Sequence, residues 1–416
     1  MGYKSRFVDE ELKSRLRHAG AVLIEGCKGC GKTETGSQFA SSIIRYDADE
    51  EVKLLMAVDA RASLRGEVPR LLDEWQVYPQ VWDYVRREVD TRKKKGQFIL
   101  TGSATPEEDT KRHSGVGRFS VLKMRPMSLF EMGWSSGEVS LHSIAEYDGV
   151  ISSPVDFNLK DFAEKMILGG WPALINQPLR SGIRYARDYI ALTSEVDLSR
   201  VSNKRRDPIK VRRVLQSIAR NVATEVTLAT LAKDSGDEEN KLNKDTVADY
   251  VTALERLMIL ESQPAWSTHI RSSDTLRKMP KRHFVDPSLA VGALGLSIDK
   301  LVKDLHYYGF LFESLVMRDL RIYAEMQDAS IYHYRDSRGM EVDAIVEYLD
   351  GAWMAIEVKL GIGAVEDAAE NLLKFVAKVD TEKVGEPKAL IVITGNGFAH
   401  KRPDGVYVVP ISTLTA

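Results

Sequence analysis

The sequence of 416 residues has only two cysteines, Cys27 and Cys30, which excludes a scaffold held together by several disulfides. A chain so poor in cysteine is typical of a reducing compartment, and we expect a cytoplasmic location. Two thiols also fall short of the four ligands of a structural zinc site. We therefore interpret both cysteines as small loop residues, with a thiol-based redox switch as the alternative.

Long hydrophobic runs and a strong net charge are also missing. No stretch approaches the length of a membrane span, and the first residues lack the charged-then-apolar pattern of a secretion signal. Because 58 basic and 60 acidic residues nearly cancel, any nucleic-acid surface must be local. The composition, 44% hydrophobic, predicts an ordinary soluble protein of roughly two to four domains without a membrane partner.

The segment from Gly26 to Thr33 has the sequence G-C-K-G-C-G-K-T and fits the phosphate-loop pattern G-x-x-x-x-G-K-S/T. It follows a strand-like apolar run over 21–25, and a helix is predicted from Glu34 onward. Such a loop directs backbone N–H groups at phosphate oxygens. Lys32 would reach the β- and γ-phosphates, and the Thr33 hydroxyl would bind Mg²⁺. We therefore predict ATP and Mg²⁺ as cofactors, with nucleotide contacts from Gly26, Gly29, Cys30, Gly31, Lys32, Thr33 and Glu34.

A second motif, at Asp73 and Glu74, supplies what hydrolysis needs beyond binding. A strand-like segment over 68–72 leads into these two carboxylates. Asp73 would hold Mg²⁺, and Glu74 would orient the attacking water. The strand predicted over 98–103 ends in polar residues, so Ser103 or Thr101 could sense the γ-phosphate. A simple turn role for Ser103 is the alternative.

Two arginines flank the next predicted strand, over 119–124. Arg118 precedes it and Arg125 follows it, and either could act as an arginine finger on the γ-phosphate of a neighbouring subunit. A surface or ion-paired role is the alternative for each. Strands alternate with helices through this part of the chain, including a helix predicted over 80–92. This alternation predicts an α/β fold with a parallel sheet covered by helices on both faces.

The middle of the chain is predicted to be helical. A polar stretch over 135–158 marks a boundary, and residues 159–201 are expected to form a small helical lid with a turn at 169–172. Three helical stripes between 210 and 258, the third with Asn243 as N-cap, precede an extended segment over 258–262, which suggests a winged helix-turn-helix. The third helix is acidic, so a purely structural module is the alternative to DNA binding. Flanking basic residues could neutralise DNA phosphates: Arg200, Lys204, Arg205, Arg206, Lys210, Arg212, Arg213, Arg277, Lys278, Lys281 and Arg282.

The last hundred residues contain carboxylates and a lysine in a second pattern. Both 341–347 and 355–360 alternate with period two, as strands with one core face do. Glu357 and Lys359 would share the other face, and a neighbouring strand would bring Asp343 beside them. Two carboxylates that hold Mg²⁺ and a lysine that positions water suit phosphodiester hydrolysis. Glu313, on a helix predicted over 310–324, could add a fourth group; charges on a solvated sheet face are the alternative.

Several segments together resemble a large prokaryotic family of AAA+-like ATPases. They are the phosphate loop, L-L-D-E-W-Q, F-I-L-T-G-S, G-R-F-S-V-L-K-M-R-P, G-G-W-P, P-K-R-H-F-V-D-P and E-V-D-A-I-V-E with I-E-V-K. The resemblance implies an additional-strand P-loop ATPase core over 1–135, a helical lid and linker over 136–205, a winged helix-turn-helix over 206–290 and a restriction-endonuclease-like α/β domain of PD-(D/E)XK type over 300–416. It also implies nucleotide-site roles for Lys32, Thr33, Asp73, Glu74 and Arg118 and a nuclease-like core of Asp343, Glu357 and Lys359.

Two functions of different class follow. The first is a Mg²⁺-dependent AAA+ ATPase that couples ATP hydrolysis to DNA handling or cleavage by the nuclease-like domain. The second is a nucleotide-controlled binding or scaffold protein whose nuclease-like domain is inert. The resemblance further implies a homo-oligomeric ring, most simply a hexamer, and makes DNA a candidate partner.

Overall fold

The structure of the protein, a computed structural model, begins with a parallel five-stranded sheet. The structure describes residues 2–47, 50–102, 115–146, 150–155, 158–198, 206–236, 242–267 and 278–416. The strands of the first sheet are β1 (Ala21–Glu25), β2 (Ser42–Arg45), β3 (Arg70–Asp73), β4 (Phe98–Gly102) and β5 (Phe119–Lys123). Their order is β2-β3-β4-β1-β5, so β4 lies between β1 and β3. The helices of this region are α1 (Phe7–His18), α2 (Lys32–Phe39), α3 (Glu50–Asp59) and α4 (Val81–Arg92).

The first sheet forms around apolar central strands. In β1 and β4 nearly every residue is buried, as expected for strands covered on both faces. β3 begins at Arg70, later than predicted, and the preceding Pro69 has no N–H group to offer a sheet. In the parallel register Glu25 pairs with Gly102 and Asp73 pairs with Thr101, so these strand ends meet at one edge. The predicted α/β class with a parallel sheet is confirmed.

Helices occupy most of the middle of the chain, with the short strand β6 (Val139–Ser140) near its start. The helices are α5 (Leu129–Met132), α6 (Leu141–Glu146), α7 (Leu159–Leu168), α8 (Leu179–Leu192), α9 (Pro208–Arg220), α10 (Leu228–Ser235), α11 (Lys244–Arg256), α12 (Pro287–Leu294) and α13 (Ile298–Lys303). As predicted, Asn243 caps α11, where its side chain accepts a hydrogen bond from the Thr246 N–H group at 2.7 Å. After α11, β7 (Leu260–Gln263) and β8 (Lys281–Phe284) form an antiparallel pair.

The C-terminal region contains a mixed six-stranded sheet between two helices. Its strands are β9 (Ser330–Arg335), β10 (Glu341–Glu347), β11 (Trp353–Lys359), β12 (Ala389–Thr394), β13 (His400–Lys401) and β14 (Tyr407–Pro410), in the order β13-β14-β12-β11-β10-β9. The helices are α14 (Leu305–Glu325), α15 (Val365–Lys378) and α16 (Thr381–Val384). Ile356 of β11 belongs to the core that includes α14, whereas its neighbour Ala355 packs with α15. Both faces of β11 are therefore buried. None of the helices in the described part of the chain combines the length and the apolar character needed to cross a membrane.

Helix α14 is bound to the middle of the chain through a buried ion-pair network. Arg318 donates to Asp286 Oδ2 at 2.8 Å and pairs with Asp319 at 2.7 Å. Asp319 also accepts a hydrogen bond from the Leu129 N–H group at 2.8 Å. Asp286 accepts one from the Gly170 N–H group at 2.9 Å. The network therefore connects the C-terminal region with α5 and with the glycine turn that follows α7.

The segment after the first sheet is also bound to the end of the C-terminal region. The short strand β15 (Leu414–Thr415) pairs in parallel with β6. Ser135 Oγ donates to the Leu414 carbonyl oxygen at 2.7 Å, and the Ser136 N–H group donates to the Ser412 carbonyl oxygen at 2.8 Å. The first residues of the predicted lid and linker thus pack with the C-terminal region in the structure.

Candidate nucleotide site and carboxylate cluster

The phosphate loop lies between the end of β1 and the start of α2. Gly31 precedes α2 with a φ of 104°, a left-handed conformation that glycine adopts without strain. At Gly26 a Cβ atom would lie 2.2 Å from the Met124 carbonyl oxygen, so a larger residue does not fit. Backbone N–H groups at the start of a helix attract anions. The loop therefore has the geometry that suits phosphate binding.

The Lys32 side chain is buried against this loop. Its ammonium donates to the carbonyl oxygens of Gly26 and Cys27, both at 2.9 Å. An ammonium has three N–H donors, so these two bonds leave one for a phosphate oxygen. Glu34 is exposed in the first turn of α2, where a negative charge is favourable beside the helix dipole.

Asp73 links the phosphate loop to the neighbouring strands. Its Oδ1 atom accepts hydrogen bonds from Thr33 Oγ1 at 2.8 Å and from Thr101 Oγ1 at 2.5 Å. The strand order explains both contacts, because Thr101 on β4 lies between β3 and the loop that follows β1. A carboxylate and a hydroxyl beside a phosphate loop are oxygen ligands of the kind that Mg²⁺ prefers. These residues therefore fit Mg²⁺ bound together with a nucleotide.

Glu74 follows Asp73 in a left-handed backbone conformation, with a φ of 53°. This conformation is uncommon for a residue other than glycine, and such strain occurs often at functional sites. The Glu74 carboxylate accepts a hydrogen bond from the Gln76 side-chain amide. Burial raises the pKa of Glu74, and the Gln76 hydrogen bond and the Lys32 charge oppose this rise only in part. The segment L-L-D-E-W-Q ends at Gln76, but sequence reasoning gave this residue no role, because neither nucleotide motif requires a side chain there.

Side chains from outside the first sheet cover the phosphate loop. Arg6 donates to the Cys30 carbonyl oxygen at 2.9 Å, and Tyr189 of α8 donates to the Lys28 carbonyl oxygen at 3.2 Å. The Lys28 ammonium pairs with Asp197 at 2.5 Å. A cavity of about 400 Å³ lies between this side of the loop and α8. These contacts carried no sequence signal, because they depend on how the helical region packs on the loop.

Both cysteines of the loop are fully buried, and their thiols contact each other. The hydrogen bond from Cys27 lowers the pKa of Cys30 to about 6, whereas burial raises the pKa of Cys27. Their positions agree with small loop residues, and the redox alternative remains a hypothesis.

The guanidinium groups of the two predicted arginines are engaged away from this loop. Arg118 lies at the opposite end of the sheet, beside the start of β1, and its guanidinium pairs with Asp90 at 2.9 Å. Arg125 is held by two carboxylates, the nearer at 2.7 Å. Ser103 lies outside the described residues. A role of Arg118 in a neighbouring subunit stays a prediction.

A row of alternating charges lies in the C-terminal region. Lys281 Nζ is 2.7 Å from Glu313 Oε1 and 3.3 Å from Asp343 Oδ1. Lys359 Nζ is 2.7 Å from Glu357 Oε2 and 3.9 Å from Asp343 Oδ2. The structure thus brings together Asp343, Glu357 and Lys359, together with Glu313. We name these four side chains and Lys281 the carboxylate cluster.

An irregularity in β10 helps to place Asp343 in the carboxylate cluster. The pairing of β10 with β9 shifts register within residues 342–345, and such bulges change the direction of a side chain. Asp343 Oδ2 accepts a hydrogen bond from the Val358 N–H group at 2.9 Å. Asn371 of α15 donates to Glu357 Oε1 at 2.8 Å. Asn371 was missed because nothing in its local sequence shows that α15 faces β11 at this point.

Burial raises the pKa values of two carboxyl groups in the carboxylate cluster. It raises the pKa of Glu313 to about 8, with a contribution from the charge of Asp343. It also raises the pKa of Glu357 to about 7. Burial alone would raise the pKa of Asp343 too, but the positive charges of Lys281 and Lys359 outweigh it and lower that pKa. Three carboxylates thus face two ammonium groups, and Glu313 is expected to carry a proton at neutral pH.

The lysines also limit how well the carboxylate cluster fits a metal ion. In the part of the chain that the structure describes, no group of three or more His, Cys, Asp or Glu side chains has the arrangement of metal ligands. Glu313 and Asp343 both contact Lys281. A divalent ion shared by Asp343 and Glu357 therefore stays a prediction.

Several basic residues predicted to face DNA are buried instead. Lys281 lies in the carboxylate cluster, and Arg282 is 5% exposed and donates to the Val226 carbonyl oxygen at 2.7 Å. Arg206 is also 5% exposed and pairs with Asp249 of α11 at 2.9 Å. Buried side chains cannot neutralise DNA phosphates, so these three leave the predicted surface. Of the others, Lys210, Arg212, Arg213 and Lys278 are at least partly exposed, whereas Arg200, Lys204, Arg205 and Arg277 lie outside the described residues.

Three family models match consecutive parts of the chain. An AAA domain matches residues 18–133, a domain of unknown function (DUF8612) matches 159–300, and a second domain of unknown function (DUF4143) matches 308–414. The first match agrees with the parallel sheet and the phosphate loop, and this region has the fold of a P-loop ATPase. The second match spans both the predicted lid and the predicted winged helix, and no activity is attached to the second or the third.

Individual proteins and solved structures of low sequence identity are similar to most of the chain. The "Uncharacterized protein Rv2008c" of Mycobacterium tuberculosis and the "Uncharacterized protein Mb2031c" of Mycobacterium bovis are each 23% identical over 84% of this chain and 72% of their own length. Among solved structures, the Walker-type ATPase paby2304 of Pyrococcus abyssi is 12% identical with a TM-score of 0.40, over 68% of this chain and 94% of that chain. A Thermotoga maritima RuvB variant is 19% identical with a TM-score of 0.28, over 62% and 89%.

Proposed function

We propose that the protein is an AAA+-type ATPase that binds ATP and Mg²⁺ at the phosphate loop and hydrolyses the nucleotide. The observation that carries this proposal is the hydrogen bond of 2.8 Å between Thr33 and Asp73. It joins the hydroxyl and the carboxylate that would hold one Mg²⁺ ion. A glycine-rich turn without this function would need no buried carboxylate from a second strand beside it.

The residues of the site have separate roles in this proposal. The loop N–H groups and the Lys32 ammonium bind phosphate oxygens, and Thr33 and Asp73 hold Mg²⁺. When bound, Mg²⁺ neutralises the charge that develops on the transferred phosphoryl group. Glu74 orients the attacking water, and its raised pKa favours acceptance of a proton. Gln76 acts as a positioning residue, because it binds the Glu74 carboxylate.

The experiment that tests this proposal is ATP turnover with Mg²⁺ in the wild type and in Glu74→Gln. Loss of a group that activates water costs about 10²- to 10⁴-fold in rate, so we expect a fall of that size with ATP affinity retained. Glu51→Gln, a change at an exposed residue of α3, is the matched control and should hydrolyse ATP like the wild type. Unchanged turnover in Glu74→Gln would refute the role of Glu74.

DNA handling or cleavage by the rest of the chain is the second proposed activity. It is supported by the convergence of Asp343, Glu357 and Lys359 and by the three helices α9 to α11 followed by a β-pair, in the order of a winged helix. Partly exposed basic side chains of α9 could contact phosphates. We expect ATP turnover to rise with double- or single-stranded DNA. Cleavage assays with Mg²⁺ or Mn²⁺ on linear, branched and single-stranded DNA test the nuclease part.

A nucleotide-controlled binding or scaffold protein is the alternative. The ion pairs of Lys281 favour it, because they engage two of the three carboxylates that hydrolysis would use. If DNA neither changes ATP turnover nor is cut, this alternative replaces the second activity and leaves the ATPase proposal untouched.

A further inference from the structure

Three separate elements meet at one point of the carboxylate cluster. Glu313 comes from α14, Asp343 from β10 and Lys281 from β8 of the antiparallel pair. The Lys281 ammonium is within 3.3 Å of an oxygen from each of the two carboxylates. The cation at this point is thus supplied by the region before the C-terminal sheet, not by the sheet itself.

The burial of this point favours a cation beside the charged Asp343 carboxylate. The side chains of Lys281 and Glu313 are only 7% and 9% exposed, and that of Asp343 is 14% exposed. Removing one partner of a buried ion pair is strongly unfavourable, because the charge that remains is neither solvated nor compensated. Lys281 therefore provides the compensation that a bound ion would otherwise have to provide.

The backbone around Lys281 is fastened to the C-terminal sheet. In the β7–β8 pair, Lys281 is the register partner of Gln263. The Gln263 side-chain amide donates to the Tyr332 carbonyl oxygen at 2.9 Å and to the Asp343 carbonyl oxygen at 2.8 Å. The Trp266 N–H group donates to the His333 carbonyl oxygen at 2.7 Å. Lys281 is thus held in place by the contacts of its strand pair with the C-terminal sheet as well as by its charge.

We propose that the Lys281 ammonium is the built-in cation of the carboxylate cluster and that it excludes a divalent ion from the position between Glu313 and Asp343. The intact protein then binds no Mg²⁺ or Mn²⁺ there, and the cluster is a latent site for a hard divalent cation with oxygen ligands. An ammonium and a divalent ion repel each other, and the ammonium already occupies the space between these two oxygens. This inference rests on the second proposed activity in one respect only: it treats the carboxylate cluster as a site that can hold a cation.

Mn²⁺ binding in the absence of nucleotide tests the inference directly. All proteins carry Asp73→Asn, so that the phosphate-loop site does not contribute. Isothermal titration is compared between this background, the background with Lys281→Met and the background with both Lys281→Met and Asp343→Asn. We expect Lys281→Met to bind one additional Mn²⁺ per chain, and the further Asp343→Asn change to abolish that binding. No additional ion in Lys281→Met would overturn the proposal.

Two controls keep the result interpretable. Lys281→Arg retains the positive charge and Lys374→Met removes an exposed lysine of α15, so both should bind Mn²⁺ like the background. Far-UV circular dichroism shows whether Lys281→Met folds. If it does not, the comparison of the background with and without Glu313→Gln decides, because Glu313 belongs to the position of Lys281 and not to the pair Asp343 and Glu357. Equal Mn²⁺ binding supports the proposal, and a loss of binding in Glu313→Gln overturns it. ATP turnover is measured separately, so a failure here is distinct from a failure of the ATPase proposal.

Discussion

The phosphate loop and the carboxylate cluster contain the same kinds of side chain in opposite electrostatic arrangements. At the loop, Lys32 donates to backbone carbonyl oxygens, and the hydrogen bonds to Asp73 come from two hydroxyls. In the cluster, two lysines contact three carboxylates directly. The first arrangement keeps a cation and a carboxylate available for ligands, whereas the second satisfies each charge within the protein.

This difference shows why similar motifs need not have similar chemistry. A lysine that bonds to neutral carbonyl oxygens keeps its net charge for an incoming phosphate. A lysine between two carboxylates is already neutralised, and its removal, not its presence, creates a binding site. The following predictions test this contrast, from the largest expected effect to the smallest.

The largest expected effect concerns an arginine finger that a second subunit would supply to the nucleotide site. If the chain forms a ring, with a hexamer expected, Arg118→Ala should lower ATP turnover by about 10³-fold or more, because a γ-phosphate would lose its arginine finger. Asp90→Ala breaks the same ion pair but keeps the guanidinium, so its turnover should stay near that of the wild type. Light scattering with and without ATP measures assembly. A monomer under every condition would rule out the ring.

The second prediction compares the two lysines. Lys32→Met should weaken ATP binding by about 10- to 100-fold, which corresponds to the loss of one charge-assisted hydrogen bond. Lys281→Met should leave ATP affinity unchanged, because Lys281 lies in the carboxylate cluster. Fluorescence titration with a labelled ATP analogue measures both. Equal losses of ATP affinity in the two variants would show that the carboxylate cluster also contributes to ATP binding.

The smallest effect concerns pH. The pKa of Glu313 rises from 4.5 to about 8 in the folded state, so the folded protein binds more protons between these values. Glu313 should therefore make stability fall as pH increases through this range, with a contribution of at most about 1.4 kcal/mol per pH unit. Urea unfolding between pH 5 and pH 9 measures the slope. Glu313→Gln should flatten it, and the exposed control Glu370→Gln should not; a slope that is the same in all three proteins would contradict this origin.

The arrangement of the phosphate loop and Asp73 could largely be predicted because its determinants are local. The spacing of Gly26, Gly31 and Lys32 defines the loop within a few residues, and an apolar strand before Asp73 defines the second motif. Parallel strands end at one edge of a sheet, so local patterns already placed the two motifs together. The cover of the loop by Arg6 and Tyr189 could not be predicted, because it depends on contacts between distant segments.

The C-terminal site was only half predictable for the same reason. Period-two alternation indicated that Asp343, Glu357 and Lys359 would converge, since strand geometry is regular. In the sequence Lys281 belonged to a basic group suited to DNA, and nothing local distinguished it from Lys278. Its contact with Asp343 spans 62 positions and depends on how the β7–β8 pair docks on the C-terminal sheet.

The buried network of α14 connects two sites that lie far apart in the sequence. Glu313 and Arg318 lie on α14, less than two turns apart. The carboxylate cluster and the Arg318 network therefore share this helix. Arg318 connects this helix through Asp286 to Gly170, two residues before the Pro172 ring that lies against the phosphate loop. The segment that lies against the phosphate loop and the carboxylate cluster are therefore both attached to α14.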